Sequence, residues 1–143
     1  MSAGVGVVIP TDLADEMVEH CVEQRPNEAC GILGAKAGEV VKVFRMSNAD
    51  ASPMRYRLEP RERLAVENTL RENGWDLGAV FHSHTRTEAY PSPTDIRLAV
   101  EDVPYLIVSL TQDSPSIRAF RFVKEGWSDV QGAVEEVDVQ IIG

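Results

Sequence analysis

Residues 76–95 read DLGAVFHSHTRTEAYPSPTD. The apolar run at 77–81 is a strand, and it ends in two histidines set two apart, His82 and His84. Side chains two apart on a strand share a face, so both imidazoles converge on one point just beyond the strand end. A loop follows, and then Ser92-Pro93-Thr94-Asp95. Ser at the N-cap, Pro at the first helical position and Asp at the third make a helix start of the capping-box kind. A helix that begins so soon after His84 starts close to where the histidines end.

Outward from this stretch the chain alternates strands and helices. C-terminally, a helix spans 92–102. The near-continuous apolar run at 105–110 is a central strand, and 117–123 pairs with it across a turn. N-terminally, a strand at 5–9 leads into a helix capped by Thr11, with Asp12 and Asp15 in its first turn. Leu13, Met17 and Cys21, beside Ala14, Val18 and Val22, form its apolar stripe. Strands at 28–35 and 39–46 form a hairpin around Ala37-Gly38. The alternation at 54–58 predicts a half-exposed strand. Pro60 opens a helix to Asn73 with Leu64, Val66 and Leu70 inward, and Gly74 stops it. Further strands are expected at 127–130 and 134–142. Residues 125–143 hold acids and no Lys or Arg, as a solvated strand edge protected by charge would. The expected fold is α/β in the α+β sense: a mostly antiparallel mixed sheet flanked by helices, in a single domain over 1–143.

Composition narrows the function. Fourteen basic against 23 acidic residues give a net charge of −9 in 143 residues, which argues against a nucleic-acid partner. The two cysteines, Cys21 and Cys30, make no disulfide framework. With no secretory signal and no apolar run of membrane-spanning length, the expectation is a cytoplasmic protein with no membrane partner. Self-association into a homo-oligomer is compatible with all of this.

Histidine pairs also occur with ordinary hydrogen bonds, and Ser-Pro-x-Asp is ordinary helix punctuation. Together they can do more. An Asp in that first helical turn adds an anionic ligand to two imidazoles and leaves a fourth tetrahedral position open, as catalytic zinc requires. A base is then needed to take a proton from water. Glu28, ahead of a strand whose Gly31 and Gly34 allow close backbone approach, is a candidate, although spacing alone does not single it out among the acids. His20, at the edge of the first helix's stripe, is a surface or partly buried residue.

His82-Ser83-His84, seven residues, Ser92, two residues and Asp95, with Glu28 upstream in EACGILG, resemble the JAMM motif of the MPN+ metalloproteases. The resemblance implies a fold related to cytidine deaminase and one zinc ion held by His82, His84 and Asp95. It implies Glu28 as general acid/base on the metal-bound water and Ser92 as a hydrogen-bond donor to the oxyanion. The implied reaction is hydrolysis of a peptide or isopeptide bond at the C-terminus of a ubiquitin-like protein. Thr85 stands where many members carry Pro.

The short chain looks most like the bacterial stand-alone branch. That branch includes a hydrolase that frees cysteine from a sulfur-carrier protein in cysteine biosynthesis. The expected partner is therefore a ubiquitin-like sulfur carrier with an extended Gly-Gly tail, able to add a strand to a sheet edge. Arg86, beside the histidines, is the candidate for the carboxylate of a single-residue leaving group; Arg55 and Arg57 rank behind it. The alternatives are processing of another ubiquitin-like protein or peptide, and an inactive scaffold, which the intact motif disfavours. Cys30, two residues from Glu28, belongs to the core or approaches the metal.

Overall fold

A computed structural model of the chain describes residues 6–126 and 131–143; the strand expected at 127–130 lies outside them. The elements run β1 (Val7–Pro10), α1 (Thr11–Glu23), β2 (Cys30–Lys36), β3 (Glu39–Met46), α2 (Pro60–Asn73), β4 (Asp76–His84), α3 (Pro93–Leu98), β5 (Tyr105–Ser109), β6 (Ser116–Val123), β7 (Ala133–Val137) and β8 (Val139–Ile142). The strands form one sheet in the order β7-β6-β5-β4-β2-β3-β1-β8. Four pairings are antiparallel (β2–β3, β2–β4, β5–β6, β6–β7) and three parallel (β1–β3, β1–β8, β4–β5).

β4 lies in the middle of this order, which suits its sequence. Residues 79–84 are all buried, as a strand covered on both faces requires. α1 covers one face through Ala14, Met17 and Cys21, which pack with Leu33, Phe81 and Leu106. α2 covers part of the other through Val66 and Leu70, packed with Cys30, Ile32 and Met46. Gly31 is required where β2 passes β3: a Cβ there would stand 2.3 Å from the Phe44 carbonyl oxygen. At Gly34 the close neighbours are the Leu70 and Phe44 side chains rather than backbone. The β2–β3 turn has Ala37 and Gly38 both at positive φ, which suits the twist of a tight hairpin.

β7 and β8 stand at opposite ends of the strand order, yet only Asp138 separates them in the chain. The sheet therefore bends until its two margins nearly meet. The Asp138 carbonyl accepts the Val7 N–H at 2.8 Å. The single strand expected at 134–142 is two strands broken at this residue. Glu135 and Glu136 on the β7 margin are exposed, as the acidic run predicts.

The structure corrects other boundaries. Pro10, not Thr11, is the α1 N-cap, and it makes no side-chain cap; the Thr11 hydroxyl is donated to the Ile142 carbonyl of β8 instead. Leu64 is 61% exposed, because it lies two residues, about 200° around the helix, from Val66. Residues 54–58 are not a strand beyond one isolated bridge, Asn48 to Leu58. The Asn48 side chain ties that segment down in place of a strand ladder. α3 stops at Leu98 instead of reaching 102. There the Lys124 ammonium binds the Ile96 and Ala99 carbonyls at 2.9 and 3.0 Å, and the Tyr105 hydroxyl accepts the Val100 and Glu101 N–H groups.

Candidate metal centre

β4 delivers both imidazoles to one face, and the α3 capping box brings the carboxylate. The Ser92 hydroxyl oxygen accepts the Asp95 N–H at 3.1 Å, and Asp95 Oδ2 accepts the Ser92 N–H at 2.9 Å. That reciprocal pair fixes the Asp95 rotamer. His84 Nε2 lies 3.0 Å from Asp95 Oδ2, His82 Nε2 lies 3.3 Å from Oδ1, and the two Nε2 atoms are 3.2 Å apart. All three residues are buried. Among the described residues they form the one group of three or more His, Cys, Asp or Glu able to hold a metal ion together.

The electrostatics divide the two histidines. Burial pushes His82 below the ordinary imidazole range. Burial also works against charge on His84, but hydrogen bonds to Asp95 and to the Glu88 carbonyl outweigh it and raise its pKa. Burial alone would raise Asp95; the neighbouring imidazoles and the Ser92 N–H overcome it and hold the carboxyl well below its ordinary value. His84 Nδ1 donates to the Glu88 carbonyl at 2.9 Å, with the Thr87 hydroxyl 3.0 Å away. At 3.0 Å from Asp95 Oδ2, Nε2 donates its own proton to that carboxylate; once that proton leaves, Nδ1 keeps its hydrogen bond and the Nε2 lone pair is free for a metal ion. Two imidazole nitrogens and one ionised carboxylate, facing one point, are a donor set that zinc accepts.

Glu28 sits just before β2 and is 5% exposed. Its Oε1 is buried with no hydrogen-bond partner among the described residues. Burial raises its pKa to about 8, with His84 opposing and Asp95 adding to the rise. Its backbone is pinned on three sides. Its N–H donates to the Ser52 carbonyl at 2.9 Å, its carbonyl accepts Asn48 Nδ2 at 3.0 Å, and the Ala29 N–H donates to Ser83 Oγ at 2.8 Å.

Residues 10–123 match Prok-JAB, the prokaryotic homologs of the JAB domain. The chain belongs to this family. A Mycobacterium tuberculosis relative named CysO-cysteine peptidase is 38% identical over 141 residues, covering 95% of this chain and 91% of its own. A Thermus thermophilus relative named Probable TtuB-protein conjugate cleaving protease is 32% identical over 118 residues, 82% of this chain and 76% of its own. Among solved structures, a Desulfitobacterium hafniense protein has TM-score 0.80 at 34% identity, covering 96% of this chain and 94% of its own. A JAB1/MPN domain protein from Archaeoglobus fulgidus has TM-score 0.63 at 16% identity over 96% and 98% of the two chains, a likeness of fold. The expected JAMM/MPN fold is thus present in this Prok-JAB chain.

Other sequence expectations fare differently. Arg86 is exposed and lies against Met54 Sδ at 3.7 Å. Arg55 and Arg57 both pair with Asp50, at 3.3 and 3.2 Å, so neither guanidinium is uncommitted. Cys30 lies directly across the ladder from His82, but its thiol donates to the Ser47 carbonyl at 3.4 Å. Burial pushes that thiol up to about 12, and it stands outside the ligand group. His20 is buried rather than on the surface, its Nε2 within 3.1 and 3.2 Å of the Cys30 and Met46 carbonyls.

Three residues escaped the sequence reading. Ser83 and Asn48 hold the Glu28 segment. Tyr56 stacks on His82 with centroids 4.3 Å apart and planes at 21°. The alternation at 54–58 predicts only a half-exposed strand, and nothing in it names the histidine as a neighbour of Tyr56.

Proposed function

We propose that this chain is a zinc-dependent peptidase that cleaves at the C-terminus of a ubiquitin-like sulfur-carrier protein and releases cysteine from a carrier–cysteine adduct. One observation carries the chemistry: a buried His-His-Asp donor group beside a buried carboxyl with an unpartnered oxygen. The relatives' names support the substrate class. His82, His84 and Asp95 would hold the zinc ion, which would supply Lewis acidity toward the amide carbonyl and toward water near neutral pH.

The side chains do the rest. Glu28 takes a proton from the attacking water at its free oxygen and returns it to the leaving amine. Its raised pKa keeps both directions of transfer accessible near neutrality. Ser92 Oγ already accepts the Asp95 N–H, which leaves its own hydrogen to donate to the carbonyl oxygen as negative charge develops there. Arg86 receives the carboxylate of the leaving residue.

The test offers purified enzyme two substrates, a carrier–cysteine adduct and a carrier fused to a folded protein, followed by mass spectrometry. Cysteine release is expected to be the faster reaction, to stop on treatment with a chelator and to return with zinc. Faster cleavage of the fusion favours conjugate processing instead. Turnover that survives chelation overturns the zinc chemistry.

A further inference from the structure

The two histidines are held differently. His84 is oriented by its second nitrogen, through the Glu88 carbonyl and the Thr87 hydroxyl. His82 Nδ1 is buried and has no hydrogen-bond partner among the described residues. A metal-binding imidazole normally owes its ring angle to a hydrogen bond at the nitrogen that does not bind. The final torsion of histidine is broad, so without that bond the ring plane is weakly fixed. What His82 has instead is the Tyr56 ring, stacked on it at 4.3 Å.

The segment carrying Tyr56 is built to keep that ring in place. Asn48 reaches the backbone on both sides of it: Nδ2 donates to the Arg55 carbonyl at 2.9 Å, and Oδ1 accepts the Arg57 N–H at 3.1 Å. The Arg57 carbonyl in turn accepts the Ala49 N–H at 2.8 Å. The same Asn48 Nδ2 also holds the Glu28 carbonyl at 3.0 Å. One amide side chain therefore registers the ring over His82 against the carboxyl proposed to move the proton.

We propose that Tyr56 is a positioning residue for His82, its ring face replacing the missing hydrogen bond and setting the angle at which Nε2 meets the metal. This rests on the reading of His82 as a zinc ligand. The hydroxyl has no part in it; the flat ring does.

The test measures zinc affinity of the full chain by competition with a chromogenic chelator, for wild type, Tyr56→Ala, Tyr56→Leu and Tyr56→Phe, with circular dichroism to confirm folding. Tyr56→Phe keeps the stack and is expected within twofold of wild type. Tyr56→Ala and Tyr56→Leu are expected to bind zinc about 10- to 100-fold more weakly. Leucine retains apolar bulk, so it decides the matter if the alanine variant fails to fold. In chelator-treated protein, the His82 ring-proton NMR shifts are expected to move in Tyr56→Leu and to stay near wild type in Tyr56→Phe. Wild-type affinity in Tyr56→Leu, or an equal loss in Tyr56→Phe, overturns the proposal while leaving the zinc reading intact. A wild-type chain that binds no zinc overturns both.

Discussion

Glu28 is where burial and chemistry meet most sharply. Its carboxyl is raised from an ordinary 4.5 to about 8 by burial, so in chelator-treated protein the folded state holds this proton while the unfolded state has lost it. Unfolding then releases a proton, and the contribution of Glu28 to stability declines as pH climbs from about 4.5 to about 8 and levels off above. Glu28→Gln removes this decline, so its stability advantage over wild type is expected to widen across that window in denaturant titrations; parallel curves would sink the assignment. Loaded with zinc, Glu28→Gln is expected to keep its metal and lose turnover by about 10²- to 10⁴-fold. Loss of metal would make Glu28 a ligand. Arg86→Ala is expected to raise KM for the cysteine adduct about tenfold or more with kcat little changed, the loss of a charged hydrogen bond; an unchanged kcat/KM removes Arg86 from the site. The histidines and Asp95 were legible because their spacing lies within one strand–loop–helix unit. Glu28 was legible only through the family resemblance, since its approach depends on β2 pairing with β4 across more than fifty intervening residues, which no local pattern encodes.

Among the elements, α3 carries two duties on one residue. Ser92 caps the helix and is the proposed oxyanion donor. The two duties separate by substitution, because glycine at an N-cap costs only a few tenths of a kcal/mol whereas alanine costs about 1. Ser92→Gly is expected to melt close to wild type and to lose roughly 10²- to 10³-fold in kcat, measured by calorimetry and single-turnover kinetics. A kcat near wild type would leave Ser92 a cap alone. The early end of α3 shows what sequence pattern misses. Residues 99–102 carry no helix breaker before Pro104, and the stop comes from Lys124 and Tyr105, brought in by β5 and the chain after β6. Residues 54–58 fail as a strand for a related reason: the alternation is present, but Asn48, not a neighbouring strand, holds the backbone.

Across the whole molecule, strand order bears on how substrate can reach the site. The margins β7 and β8 lie three and four places from β4, roughly 14 and 19 Å at the usual strand spacing. Counted along the bent sheet, a tail paired to either margin begins three or four strands from the histidines. The junction at Asp138 is remote in the same sense. Inserting two glycines after Asp138 is expected to cost on the order of 1–2 kcal/mol, a Tm drop of roughly 3–7 °C, with zinc affinity unchanged; a parallel fall in zinc affinity would tie the margins to the centre. The three proposed ligands all come from residues 82–95, while the carboxyl proposed to move the proton comes from a segment distant in the chain, just before β2, the strand paired to β4. Metal content and competence can therefore part ways. On the proposed reading, a preparation altered at Glu28 alone would carry a full complement of ion and be inert, so counting zinc atoms would overstate the usable enzyme, and only a turnover-based titration would measure it.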